Sequence, residues 1–370
     1  MTDDAAAAVA GLRLLIGSYT ATGGGTGAGI SVVEDGVART VAVLDDPSFL
    51  AVTDDRVYAV TETLDGAVQA FRRSGTTLEH LWTADAGGDA PCHVRIDPSG
   101  VLVVTNYTSG TISAIGLEAA ETATDASPDS TAGSHGDGTG ASTVPASAVA
   151  TAVLPDVTGP VEDRQEGPHA HQSTATPDGT VLVADLGGDA LHEFRIDTDA
   201  DGSVTLEPVR VHHVEPGTGP RHMGWWDGDL VVAGELDGRV HRLRRDDTGS
   251  FRTLVATPVT ASDAPASGTG EVFLSHLEVD DRGLVTVAVR GRNEIVVLDA
   301  ADGGLTVVHT VPAGGVWPRH FARAGDLLLV ANQMSDAVAV LPIGPDGFPG
   351  PTIAQIAVGS PACIVPFPAD

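Results

Sequence analysis

The sequence predicts an all-β fold, a seven-bladed β-propeller with four-stranded antiparallel blades in a single domain spanning residues 1–370. Three observations carry that prediction. A short cluster rich in Pro, His and Arg opens the same pattern six times: an apolar strand, a tight turn, and a second apolar strand ending in a polar residue. The openings are Pro47-Ser48-Phe49, Pro91-Cys92-His93, Ala170-His171-Gln172, Pro220-Arg221-His222, Ser275-His276-Leu277 and Pro318-Arg319-His320. A seventh, Pro361-Ala362-Cys363, stands at the C-terminus with no room for the rest of its blade. A single β-hairpin cannot bury its own apolar face, so a repeat of this size implies stacked units.

Start-to-start spacings are 44, 79, 50, 55, 43 and 43 residues. Apart from the 79-residue gap they fall in the range of four-stranded blades. The second copy shows the elements in order. His93 to Ile96 is a strand, Asp97-Pro98-Ser99-Gly100 a turn, Val101 to Thr105 a strand, and Thr111 to Leu117 a third strand. Pro and Gly at the second and fourth turn positions favour a type I turn. Fourth strands are weaker in sequence, with Val209 to Val214 and Leu305 to Val311 as candidates. The long gap holds residues 119–152, mostly Ala, Ser, Thr, Gly, Asp and Pro, a composition that cannot bury a core; we expect a disordered or extended surface insertion. Residues 1–11 are expected to be a flexible N-terminus. Leu12 to Tyr19 supplies the partner that Pro361 to Phe367 lacks, and Gly29 to Val33 a third strand. Pairing the chain ends within one blade removes the open edges of the ring.

The chain has 370 residues, 50 acidic and 20 basic, for a formal charge of −30; no Lys occurs, so every basic residue is Arg. Such a field repels nucleic acid and anionic membrane, and we expect neither as a partner. The acidity otherwise reads as a solvated surface. No window is long and apolar enough for a spanning helix. The N-terminus lacks the basic start and apolar core of a signal peptide, so a cytoplasmic location is expected. Two cysteines, Cys92 and Cys363, argue against a disulfide framework. A monomer or weak homodimer is expected.

A hairpin returns its chain to the end it left. The residues opening each first strand and closing each second strand therefore meet at one end, and in a propeller the first strand lines the central channel. Ser48, Cys92, His171, Arg221, His276 and Arg319 should ring one mouth, with Glu62, Asn106, Asp185, Glu235, Arg290 and Asn332 beside them. His93, His222 and His320 fill neighbouring positions. Arg pairs bidentately with carboxylate or phosphate, so such a mouth suits an anionic, oxygen-rich ligand. A purely structural reading has Arg221 and Glu235 merely stitching a hairpin, but a structural channel is more easily filled with apolar side chains. His169 with His171, and His212 with His213, lack a third ligand at a recognised metal-site spacing, so no metal or other cofactor is expected. Cys92 reads as a small apolar wall rather than a nucleophile. Trp317 lies close enough to the mouth to touch a ligand.

At these residues the chain resembles the seven-bladed propeller lactonase family, which includes propeller-type 6-phosphogluconolactonases and carboxy-cis,cis-muconate lactonizing enzymes. The likeness spans nearly the whole chain outside the insertion. It rests on Pro91-Cys92-His93, Asn106-Tyr107-Thr108-Ser109-Gly110, Pro168-His169-Ala170-His171, Asp185-Leu186-Gly187 and Gly219-Pro220-Arg221-His222, and continues through Glu235-Leu236, Ser275-His276-Leu277, Arg290-Gly291, Pro318-Arg319-His320-Phe321 and Ala331-Asn332-Gln333. The resemblance implies a catalytic group of His171, Arg221, Glu235 and Arg290, with His169 competing with His171. It implies substrate contacts from His93, Asn106, His169, Asp185, His222, His276, Arg319, His320, Asn332 and Gln333. The implied reaction is ring opening of a sugar lactone by water, with a small anionic lactone such as 6-phosphogluconolactone as substrate. His171 or Glu235 would be the base and Arg221 and Arg290 would hold the anion. The family usually has Asn before the Glu and before the second Arg; Gly234 and Val289 stand there in this chain. Two alternatives are a cycloisomerase acting on a carboxylated muconate and a non-catalytic propeller that binds through its faces.

Overall fold

A computed structural model describes residues 9–125, 142–260 and 269–368. Seven four-stranded antiparallel sheets follow one another along the chain, one of them with a short fifth strand at its edge. Blade I runs from Leu50 to Asp85, blade II from Pro91 to Val153, blade III from Ala170 to His213 and blade IV from Pro220 to Pro258. Blade V runs from Val272 to Pro312 and blade VI from Pro318 to Ala357. Blade VII combines the strand Pro361–Pro366 with Arg13–Ser18, Ile30–Glu34 and Val37–Ala42. The ring thus closes through Leu14 opposite Pro366, Leu15 opposite Val365 and Ile16 opposite Ile364.

The core is a ring, not a ball. Seven apolar clusters fill the seven spaces between neighbouring blades. Strand alternation explains how one strand serves two of them. Leu14 and Ile16 pack against blade VI, whereas Leu15 packs against blade I. Val101 and Val103 face blade III, and Leu102 and Val104 face blade I. A second strand buried on both faces reads as a continuous apolar run, as Val101–Asn106 does.

Six of the seven innermost strands open on the same irregularity; Leu50–Val52 of blade I pairs without a slip. The register slips between Pro91 and His93, Ala170 and Ser173, Pro220 and Met223, Leu274 and Leu277, Pro318 and His320, and again between Gly17 and Ser18 opposite Cys363 and Pro361. A bulge breaks the strict alternation of a strand and re-aims the side chains within it. It falls on Cys92, His171, Arg221, His276 and Arg319, the positions that carry chemistry.

Two expected boundaries change. Within 119–152, expected as an insertion without structure, Leu117–Asp125 is a helix and Val149–Val153 is the outer strand of blade II. Glu121 fastens the helix to blade I by accepting the Tyr58 hydroxyl at 2.7 Å and facing Arg56 Nε at 3.3 Å, and Ala120 is buried. Ser142–Thr143 pairs in parallel with Trp82–Thr83. Small Ala and Ser residues hid these elements because they carry little apolar periodicity. Residues 126–141 of that stretch lie outside the described residues, as do residues 1–8 of the N-terminal stretch; Val9, expected to be loose, is buried in the cluster between blades VI and VII.

Deleting the chain after Ser360 leaves Arg13–Ser18 as an open edge and uncovers two inter-blade clusters. The shortened chain is expected to lose cooperative thermal unfolding and to elute as aggregate in size-exclusion chromatography. A sharp, monomeric melt would show that closure is dispensable.

Candidate active site

Blades I to VI and the closing blade turn the same end toward a cavity of 230 Å³ lined by Tyr19, Glu62, Cys92, Tyr107, Arg164, His171, Arg221, Glu235, Arg290 and Arg319. Its centre is a buried carboxylate. Glu235 begins the turn after the second strand of blade IV, fixed by its N–H donating to the Gly219 carbonyl at 2.9 Å. One carboxylate oxygen, Oε2, faces Arg221 Nε at 2.9 Å and Arg290 Nη2 at 2.7 Å. The other, Oε1, accepts from Arg164 Nη2 at 2.5 Å. Burial alone would raise the Glu235 pKa, but Arg290, Arg221 and Arg164 outweigh it and hold the carboxyl at about 2.

The arginines are not saturated by this pairing. Arg221 Nε and Nη1 and Arg290 Nε are buried without an aligned hydrogen-bond partner in the protein; Arg221 Nε is close to Glu235 but badly angled. Burial, the neighbouring Arg290 and then Arg319 push the Arg221 guanidinium down, and Arg290 is pushed down by burial first. Both side chains remain cationic, since a guanidinium does not lose its proton in a protein. Arg290 lies 5.4 Å over the Trp317 ring, and Trp317 is held at φ +64°, a strained conformation for a bulky residue. Across the cavity Arg319 lies 4.8 Å over the Tyr19 ring and 3.7 Å from Glu62, which accepts the Tyr19 hydroxyl at 2.7 Å. Burial keeps the Tyr19 and Tyr107 hydroxyls protonated and pushes the Cys92 thiol up to about 12, so Cys92 is a wall and not a thiolate.

His171 borders the cavity with its Nδ1 unpartnered in the protein. Burial first, then Arg221, Arg319 and Arg290, hold its pKa well below 6.5, so the ring is neutral. Below it sits a stack of imidazoles. His222 Nδ1 and His276 Nδ1 are 2.9 Å apart, and His276 and His320 stack with centroids 3.9 Å apart. His93 packs on Phe49 at 4.5 Å.

The structure therefore brings together His171, Arg221, Glu235, Arg290 and Arg319, with Cys92 and Glu62 of the expected rings, and sets the other expected substrate contacts apart from the cavity wall. His93, His222, His276 and His320 fill the channel beneath it. Asn106 and Asn332 donate to the Ala86 and Ala313 carbonyls, each at 2.9 Å, and thereby stitch turns. Asp185 accepts the His169 and Gly188 N–H groups and faces His192 Nε2 at 3.1 Å. His169 stacks on Tyr107 at 4.3 Å, which aims the tyrosine inward. Gln333 does not line the cavity. Glu62 and Tyr107 were visible only as ring or motif positions; Tyr19 and Arg164 were missed. Tyr19 enters because the closing blade reaches the same mouth. Arg164 comes from the irregular segment between blades II and III, where only its place in a Lys-free, acidic chain singles it out. Gln165, fully buried, donates to the Leu186 carbonyl at 3.0 Å and anchors that segment beside Arg164. Gly187 makes the approach possible, since a Cβ there would stand 1.8 Å from the Gly167 carbonyl oxygen. An Asn before Glu235 would require the Asp237 side chain to move: a Cβ on Gly234 would stand 2.2 Å from Asp237 Oδ1, which belongs to the carboxylate paired with His241.

Among the described residues no group of three or more His, Cys, Asp or Glu is arranged to hold a metal ion, and no helix is long and apolar enough to cross a membrane.

A family model described as lactonase, 7-bladed beta-propeller, matches residues 13–366. A 6-phosphogluconolactonase of Formosa agariphila is 26% identical over 349 residues, covering 88% of this chain and 91% of that protein. One of Bacillus subtilis is 30% identical over 299 residues, covering 76% and 75%. A Pseudomonas aeruginosa periplasmic gluconolactonase superposes with a TM-score of 0.78 at 23% identity, covering 97% of this chain and 99% of that one. A Lactobacillus plantarum protein gives 0.79 at 24%, covering 96% and 99%. At such identities these structures share the fold.

Five channel imidazoles have depressed pKa values: His93, His171, His222 and His320 well below 6.5, and His276 at about 3, with burial the leading cause in each. In the unfolded chain they protonate near pH 6.5, so below that pH the unfolded state binds more protons and stability falls as pH drops. The Glu235 contribution is present above about pH 4.5 and is lost only as pH falls toward 2. The urea midpoint should therefore already decline between pH 7 and pH 5. A midpoint that stays flat until pH 4.5 would mean the imidazoles do not resist protonation.

Proposed function

The chain belongs to the seven-bladed β-propeller lactonase family, and we propose that it opens the ring of a phosphorylated sugar lactone by adding water, with 6-phosphogluconolactone as the leading substrate. One observation carries the reading beyond the family. Four guanidiniums face two carboxylates in the cavity, a local excess of two positive charges in a chain of net charge −30. That excess matches a phosphate dianion, and the unpartnered N–H groups of Arg221 and Arg290 offer it, or a developing oxyanion, charge-assisted hydrogen bonds. The 230 Å³ volume lies below the roughly 300–1,000 Å³ common for drug-sized ligands, which favours a single sugar ring. The relatives named 6-phosphogluconolactonase support the same substrate class.

In this mechanism a water attacks the lactone carbonyl carbon while neutral His171 takes its proton. The carbonyl oxygen gathers negative charge against Arg221 and Arg290. The bond from carbonyl carbon to ring oxygen then breaks, and the imidazolium returns the proton to the leaving oxygen, giving a hydroxy acid whose new carboxyl releases its proton to solvent. Glu235 is a weak base in the resting site because three guanidiniums hold it ionised; its work there is to keep two of them aimed.

A pH-stat panel of phosphorylated and plain aldonolactones tests the reading, with 6-phosphogluconolactone preferred; turnover of no lactone would sink it. With folding intact, His171→Asn should lower kcat about 10²–10⁴-fold and Arg221→Ala about 10²–10³-fold. Because the His171 pKa is depressed, the acid limb of kcat/KM should lie below pH 6.5, with activity lost as the ring protonates. Full activity of both variants would remove these residues from the mechanism.

A further inference from the structure

Glu235 Oε1 has one hydrogen-bond partner among the described residues, Arg164, whereas Oε2 is shared by Arg221 and Arg290. The three arginines differ in kind. Arg221 and Arg290 rise from buried strands, with side chains 3% and 7% exposed. Arg164 hangs from the irregular segment between blades II and III, and its side chain is 35% exposed. It is also the most exposed guanidinium lining the cavity, since Arg319 stands at 17%. A second hydrogen-bonding group, the Tyr107 hydroxyl, lies 3.5 Å from Arg164 Nη2. A substrate whose carbonyl is seated against the buried pair must present its non-reacting anionic group nearer the opening, where Arg164 is.

We propose that Arg164 is a substrate-operated cover on Glu235: the phosphate of the lactone draws the Arg164 guanidinium away from Oε1, and the uncovered oxygen then accepts a hydrogen bond from the attacking water and orients it beside His171. The inference rests on the lactonase reading and adds to it a role for the part of the substrate that does not react. Arg221 and Arg290 stay on Oε2 throughout, so the carboxylate keeps its place while one oxygen changes partner. A dianionic phosphate competes well for Arg164, because Arg pairs with phosphate through two parallel hydrogen bonds and here gives up one to a carboxylate that two other cations still hold. Binding energy from a remote group is thereby spent on assembling the reacting centre. Arg164 acts through Glu235 and is a positioning residue.

The arrangement predicts opposite effects on two substrates. Arg164→Ala removes both the grip and the cover. With 6-phosphogluconolactone, KM should rise at least tenfold. With unphosphorylated gluconolactone, which cannot draw the cover away, kcat should rise severalfold over the wild type. Arg164→Lys, which keeps the charge but not the two-pronged pairing, should fall between the two. Arg164 lies on a partly exposed segment, and unchanged thermal melts would show that both variants fold. Equal losses on both lactones would mean that Arg164 is merely structural and would overturn the proposal, as would unchanged kinetics on both. A wild-type enzyme that turns over neither lactone, or only the plain one, would instead overturn the phospholactonase reading on which the proposal rests.

Discussion

The site depends on one ionised carboxylate held out of water by three guanidiniums. Moving a charge from water into a protein costs several kcal/mol even after relaxation, and a pair repays this only when its geometry is good. Glu235 meets that condition by using both oxygens: Oε2 between Arg221 and Arg290, Oε1 under Arg164. The same contacts solve the converse problem. Arg221 and Arg290 would repel each other in a buried site, and each is held there by the anion they share. Remove the carboxylate and two buried cations lose their counter-charge; remove one arginine and the carboxylate drifts toward the other.

That cluster exists only because the ring closes. Arg221 and Glu235 come from blade IV, Arg290 from blade V, His171 from blade III, Arg319 from blade VI and Tyr19 from the closing blade. No two neighbouring blades could build it, and each blade is kept in place by apolar clusters on both sides. The bulge that opens the inner strands of blades II to VI does the local work. It converts a repeat suited to packing into one that can face the pore with a different side chain in each of those blades. Fold and chemistry are therefore separable along the chain: the strands carry the first, the bulged positions and the ends of the second strands carry the second.

This separation explains what could be read from the sequence. The repeat period and the polar residue after each second strand are local signals, and they gave seven blades, the paired chain ends, and Arg221, Glu235, Arg290, His171 and Arg319 at one mouth. Register could not tell which ring residues face the cavity, because Asn106 and Asn332 occupy the same place in the repeat as Glu235 and Arg290, yet their short amides end on the Ala86 and Ala313 carbonyls, whereas Arg290 bonds the Leu274 carbonyl and still reaches Glu235. Arg164 lies outside the repeat altogether, so no alignment of blades could find it. The helix Leu117–Asp125 was hidden by a composition poor in apolar residues, although Glu121 and Ala120 suffice to dock it.

The surrounding charge gives the local excess its meaning. A molecule of net charge −30 repels an anionic lactone at long range, yet that repulsion decays over about 8 Å at physiological ionic strength. Buried cations inside a low-dielectric cavity are screened far less. Capture of the proposed substrate would thus be decided in the last few ångströms, by hydrogen-bond donors already aimed, and not by steering from afar. On the proposed reading, an acidic exterior with a cationic interior would also discriminate: a polyanion too large to enter would meet only the surface, whereas a single small phosphorylated ring would reach the guanidiniums. Selectivity for a small anion would then follow from burying Arg221, Arg290 and Arg319 and leaving only Arg164 partly exposed.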